Sequence, residues 1–460
     1  MINILIIPID NRPVCYDLAM QTASLCKEAN VFIPPRNFLG GLTSYANYSK
    51  ILEWMQKTID QNQIDYAILV LDTIAYGGLV ASRRIDITQD EIKNKITQTI
   101  KLLKKSNAKI LATSSIMRIS NNNVNEEEKP YWDTYGTQLF QYSYQSHKTG
   151  QTPEHKIPAD ILDDYLQTRK RNYEINEFYL ELSEQNLFDY FVISQDDTAE
   201  YGLNVQEGQK LDKIIKNKNL NACIKTGADE IPLTLLARAF GDFYQTQTEI
   251  TPVYSYPESK NIISRYEDVT IENSLLGQLS IAGAKASSNG DFSLYINTPE
   301  HIQDDLAMQI FNDKQSADFK EPTTPYAIAD IKLANGADNR LIEKLLKSKK
   351  NKDLLGYAGW NTTANTLGCV LSMSIITYIC KQKNIFDEGN FNGLIATRLL
   401  DEWAYQANLR QEIRKNPDFD MEEGYIEYIK KVQTFTEADF ENCRFYFPWD
   451  RTFEIGIDFC

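Results

Sequence analysis

The stretch "QDDTAEYG", residues 195–202, sets Asp196 and Asp197 side by side just after an apolar run. Adjacent carboxylates suit acid–base chemistry, since a neighbouring negative charge makes it harder for both to ionise and one of them keeps its proton. Successive side chains of a regular strand point to opposite faces. Such a pair therefore serves one site only where the chain is already turning.

Similar groups follow other apolar runs. "DNRPVCYD" carries Asp10, Asn11 and Arg12; "DTIAYGGLVASRR" carries Asp72, Tyr76 and Arg84; "SIMRIS" carries Arg118; and Tyr201 follows the aspartate pair. "GADE" adds Asp229 and Glu230, "WNTTANTLG" with the residue order Trp360, Asn361 and Asn365, and the tail adds Trp449, Asp450 and Arg451. Charged and amide groups of these types fork onto vicinal hydroxyls, and Tyr76, Tyr201, Trp360 and Trp449 are candidates to stack on sugar rings. Taken singly, each is as well explained as a turn, a helix cap or a packed aromatic. Six strand ends bearing such groups together are harder to explain by capping.

A second reading uses the same acids as metal ligands. Asp10, Asp72, Asp196, Asp197, Asp229 and Glu230 offer the hard oxygen donors that Mg²⁺ or Mn²⁺ prefers, with Arg12, Arg83, Arg84 and Arg118 to clamp an anionic substrate. A non-catalytic sugar-binding protein is the third reading. The three histidines, His147, His155 and His301, stand at no obvious strand end, which argues against Ser-His or Cys-His catalysis. The seven cysteines, Cys460 among them, form no CxxC pair and read as reduced structural thiols, Cys15 being the one candidate nucleophile. No GxGxxG or Walker loop occurs, and no cofactor is expected.

The elements that must position these groups form a repeating series. Ten short aliphatic runs, at 3–9, 31–34, 66–71, 109–115, 189–194, 222–226, 251–256, 292–297, 326–331 and 354–359, alternate with stretches of helical period. That alternation predicts an α/β fold with parallel strands covered by helices. Functional groups then collect at the carboxyl ends of the strands. We expect a barrel-like (β/α) core over residues 1–300, interrupted by a polar lid at 119–165, and a mainly helical lobe over 301–460 that completes the site.

Composition narrows the partners. With 460 residues, 42% of them hydrophobic, the chain can bury a large core. A formal net charge of −15 argues against a general nucleic-acid or anionic-membrane surface. The amino terminus lacks the basic region of a signal peptide and no apolar run approaches about 18 residues, so a cytoplasmic protein with a small-molecule or oligosaccharide substrate is expected. Its oligomeric state is left open.

The blocks "IPIDNRPVCYD", "LDTIAYGGLVASRR", "QDDTAEYGLN", "TGADEIPLTLLAR" and "GYAGWNTTANTLG" resemble the signatures of a bacterial family of this length, the domain-of-unknown-function family 4127. The resemblance runs from Ile7 to about Arg451 and implies no established activity. Locally, a strand ending in two aspartates is similar to the catalytic stretch of O-GlcNAcase-type hexosaminidases, in which the substrate's own acetamido oxygen is the nucleophile. That resemblance implies a glycoside hydrolase in which Asp196 polarises the acetamido group and Asp197 is the acid and base.

Overall fold

Long runs of β-branched and aliphatic residues, such as Tyr66–Val70, are buried along their whole length, as strands covered on both faces must be. The computed structural model describes residues 1–460 except 312–318, 321, 323, 324, 349, 350, 417, 439, 441 and 460, so Cys460 lies outside the described residues. Contacts divide the chain into two compact units. Unit 1 comprises residues 1–11, 30–232 and 266–268, and unit 2 comprises 12–29, 233–265 and 269–460.

All ten expected strands form. The first six are β1 (Ile2–Ile7), β2 (Ala29–Phe32), β3 (Tyr66–Val70), β4 (Lys109–Ile116), β5 (Tyr190–Gln195) and β6 (Ala222–Thr226). They make one sheet in the order β2-β1-β3-β4-β5-β6. The registers are parallel, with Ile4 opposite Tyr66 and Leu111 opposite Tyr190. Helices connect them, some begun by a side-chain cap. Asn47 caps Tyr48–Gln61, and Thr88 with Glu91 forms a reciprocal capping box on Gln89–Leu103.

Unit 2 contains β7 (Glu249–Tyr254), β8 (Lys285–Ala286), β9 (Phe292–Asn297), β10 (Asp304–Asp305), β11 (Tyr326–Asp330), β12 (Leu333–Ala334) and β13 (Leu354–Ala358). Five of these form a second parallel sheet in the order β13-β11-β9-β7-β8. Counted along the chain, its strands run second, first, third, fourth, fifth. The first five strands of unit 1 have the same order. An antiparallel hairpin of β14 (Cys443–Tyr446) and β15 (Gly456–Phe459) follows.

The helix Thr363–Lys383, capped by Thr362, is 21 residues long and contains an 18-residue window with a mean hydropathy of 1.4, so an apolar stretch of membrane-spanning length does exist. Within that stretch 94% is buried, which marks it as a core helix of unit 2. A segment of π-helix, Leu399–Leu409, leads into Arg410–Lys415. The stretch at 119–165 is less polar than its composition suggests. Helices Trp132–Thr149 and Ala159–Glu184 bury Trp132, Leu139, Leu162 and Tyr165 in an apolar cluster with Met117 and Ile119.

Glycines tie together the loops that leave β1 and β3. Asn11 N–H donates to Gly40 O at 3.1 Å, and Ala46 N–H donates to Gly77 O at 2.9 Å. A Cβ on Gly77, at φ 95°, would stand 2.8 Å from Tyr45 Cβ and 2.9 Å from Ala46 N. Gly77→Ala is therefore expected to lose stability through strain, about 1–3 kcal/mol, and further through overlap. Gly150→Ala is the control, because Gly150 is also left-handed (φ 69°) but has nothing within 4 Å. Equal losses in denaturant unfolding would show that the close approach at Gly77 contributes nothing.

Candidate functional site

Strand β5 ends at Gln195, and Asp197 then takes φ 36°, a left-handed conformation that Asp tolerates better than most residues. This turn lets neighbouring side chains converge. Arg118 Nη1 lies 2.8 Å from Asp197 Oδ2 and 3.7 Å from Asp196 Oδ2. Neither aspartate caps the next helix, Leu203–Lys218. Its first amides are taken by other groups, Gly202 N–H by His147 Nδ1 at 3.1 Å and Leu203 N–H by Ser143 Oγ at 2.8 Å.

A second guanidinium closes the cluster. Arg83 Nη1 pairs with Glu128 Oε1 at 2.6 Å, and its Nη2 stands 4.0 Å from Asp196 Oδ2. Arg118 also bonds Glu127 Oε2 at 2.8 Å and Glu128 Oε1 at 3.2 Å. From the mouth of β3, Asp72 joins the same electrostatic group. Its Oδ2 accepts from the Ser115 amide on β4 at 2.8 Å, and the charges of Arg83 and Asp196 both act on it. Glu127 and Glu128 were not among the expected site residues, because "NNNVNEEEK" reads as a solvated run. The available signal was Arg83 and Arg118 themselves, which need carboxylates if they are buried.

Five carboxylates thus surround two guanidinia. Burial pushes Asp72 up to about 7, and the Ser115 hydrogen bonds only partly offset it. Burial, and then the charge of Asp196, push Asp197 up to about 7 against the pull of Arg118. Asp196 is raised as well, by burial first, with Arg118 and Arg83 opposing. Burial works against the charge on Arg118, but Glu127, Asp196, Asp197 and Glu128 outweigh it and hold the guanidinium protonated. Asp197 is the more open of the pair, its side chain 34% exposed against 16% for Asp196.

The other expected residues have varied surroundings. Asp10 is buried after β1, Asn11 holds the Gly40 loop through its backbone, and Asp229 contributes a charge that raises Asp196. Tyr76 is buried with the Arg171 guanidinium 5.3 Å from its ring centre, so it packs as core instead of presenting a face to a sugar. Arg84 donates to the carbonyls of Leu42, Asn125, Glu126 and Glu128; it fixes the loop that carries Glu127 and Glu128 rather than reaching for a substrate. Glu230 folds back to accept from the Ala228 amide at 3.0 Å. Tyr201 meets Tyr144 and His147 edge-on.

Arg12, Trp360, Asn361, Asn365, Trp449, Asp450 and Arg451 belong to unit 2. There Arg12 pairs with Glu454 at 2.9 Å, and both Arg12 and Arg451 lie about 5 Å from the Trp449 ring centre. Asn361 is left-handed, and its carbonyl accepts from the Asn335 amide at 2.9 Å. Asn365 lies in the first turn of the helix that Thr362 caps. Among the described residues, no three His, Cys, Asp or Glu side chains group as ligands for a metal ion. The guanidinia of Arg83 and Arg118 lie among the acids of unit 1.

A family model described as "Protein of unknown function (DUF4127)" matches residues 4–458. The chain belongs to that family. A search of curated proteins finds no match.

Two outcomes follow from this electrostatics. Glu128→Ala leaves Arg83 buried and without its closest partner, and is expected to cost roughly 3–5 kcal/mol in denaturant unfolding. Asp72 and Asp197 bind protons in the fold at pH values where the unfolded chain has released them. Their stabilising contribution is complete below about pH 4, the ordinary value of 3.8, and is lost as pH rises through about 7. Melting temperature is therefore expected to fall between pH 5 and 8, and less steeply in Asp72→Asn. An unchanged slope in that variant would remove Asp72 from the account.

Proposed function

We propose that the cluster at the mouths of β3, β4 and β5 is the active site of a glycoside hydrolase-like enzyme acting on a small amino-sugar-containing substrate. In this reading Asp197 is the proton donor and Asp196 orients and polarises the acetamido group. The observation that carries it is the convergence of both carboxylates on Arg118 Nη1 at a left-handed turn, with Asp197 the more exposed. An acid that serves at neutral pH must keep its proton there, and an excess of buried carboxylate over guanidinium has that effect. The substrate-assisted route needs no second carboxylate placed across the sugar as a nucleophile.

The strand order of unit 1 supports the location. Its order reverses between β1 and β3, and in open α/β sheets ligands bind outside the carboxyl ends at such a point, where Asp10 and Asp72 stand. The barrel-like closure expected from the sequence would collect these groups at the same ends. We assign the enzyme to the cytoplasm, in keeping with the free thiols of Cys26 and Cys380.

The test is kinetic. With N-acetylhexosaminides, Asp197→Asn is expected to lower turnover of substrates with poor leaving groups by about 10²- to 10⁴-fold, while activated aryl glycosides suffer far less. Asp196→Asn is expected to slow both alike. Activity of the parent is expected to fall above about pH 7 as Asp197 loses its proton, and this basic limb is expected to disappear in Asp197→Asn. Undiminished hydrolysis of an unactivated glycoside by Asp197→Asn would end the assignment, and abolition of parent activity by a chelator would point to metal-dependent chemistry on these acids.

A further inference from the structure

Unit 2 contains buried donors that have no acceptor among the described residues. Arg410 is 0% exposed. Its Nη1 donates to Gln406 Oε1 and, at 3.5 Å, to Phe453 O, but Nε and Nη2 have no hydrogen-bond partner among the described residues. The same is true of Trp360 Nε1, which is also buried. Both groups adjoin one ring. Arg410 Cζ and the Trp360 ring centre each lie 5.9 Å from the centre of Phe453, and Arg451 Cζ lies 6.0 Å from it.

The kind of group missing identifies the partner. Guanidinium and indole N–H groups can only donate, so whatever completes them must offer acceptor oxygens. Water satisfies an N–H but leaves a buried charge uncompensated. Asp305 and Asp401 act on Arg410 only through space, and both are engaged elsewhere. Asp305 Oδ1 accepts from Ala307 N, Met308 N and Asn335 Nδ2, while Asp401 accepts from Arg398 Nη2 and Gln406 Nε2. Burial accordingly pushes Arg410 down to about 10.

The backbone here is also unusual. Arg410 directly follows the π-helical segment, and the turn leading to Arg451 and Phe453 holds two successive left-handed residues, Trp449 (φ 59°) and Asp450 (φ 53°). Features of both kinds concentrate at functional sites. Phe453 and Arg451 are half-buried, so the enclosed donors border the surface.

We propose that unit 2 holds an anion-binding site in which Arg410 and Trp360 Nε1, beside Phe453, take the oxygens of a phosphate or carboxylate group carried by a small molecule. The site does not depend on the aspartate-pair reading. To test it, the full-length protein is titrated with sodium phosphate and with sodium glucuronate, against sodium chloride at equal ionic strength and glucose as a neutral control. Melting temperature and calorimetry are followed. At least one of the two anions is expected to bind saturably and raise the melting temperature. Tighter binding of phosphate assigns a phosphate-bearing ligand, and tighter binding of glucuronate a carboxylate. Arg410→Met should abolish the response, and Trp360→Phe, which keeps a ring but removes the N–H, should weaken binding about tenfold or more. The proposal is overturned if neither anion exceeds chloride, or if Arg410→Met responds as the parent does. Should Arg410→Met fail to fold, parent-like affinity in Trp360→Phe is sufficient to overturn it.

Discussion

Two guanidinium groups, Arg83 and Arg118, hold together acids that would otherwise repel one another where water is scarce. Each bonds Glu128, and between them they reach Glu127, Asp196 and Asp197. This arrangement draws strand ends and a distant loop to one place. It fixes the Asp197 turn from one side and the 125–128 loop from the other, the latter further pinned through Arg84. The acids also outnumber the cations, so the cluster holds protons that isolated carboxylates would shed. Stability and acid strength are coupled here. The same burial that disfavours the ionised acids lets a carboxyl group carry a proton near neutrality.

The strands were legible because a parallel strand buried on both faces must be nearly all apolar, and runs such as "YAILVL" and "FSLYIN" have few other uses. Strand order was not. It depends on which backbone edges pair, and β8, at one edge of the second sheet, is two residues long, too short to leave a pattern. The aspartate pair was legible as an anomaly, since adjacent acids after a strand need a turn, and the left-handed Asp197 supplies it.

The partners of that pair were harder to see. Glu127 and Glu128 sit in a run of Asn and Glu that resembles solvated surface, and only the tertiary position of Arg83 and Arg118 shows why they are buried or half-buried. The aromatic residues of 131–165 misled in the opposite direction. They suggest a sugar-facing lid, but Trp132 and Tyr165 instead form a small core between two helices, the ordinary use of large rings. Arg84 and Tyr76 stand next to functional-looking neighbours in sequence, yet their side chains are committed to carbonyls and to Arg171.

The π-helical segment makes chain length itself a determinant of unit 2. Over Leu399–Leu409 each turn takes up extra residues, so side chains five apart meet, as Gln406 meets Asp401 and Asn408 meets the Trp403 carbonyl. Removing a single residue there, with the remaining turns keeping their pairing, would turn everything beyond it by roughly a quarter turn about the helix axis. Arg410 would then leave the Phe453 ring, although no side chain that touches it had changed. A one-residue length difference in this stretch is thus a coarser change than most substitutions.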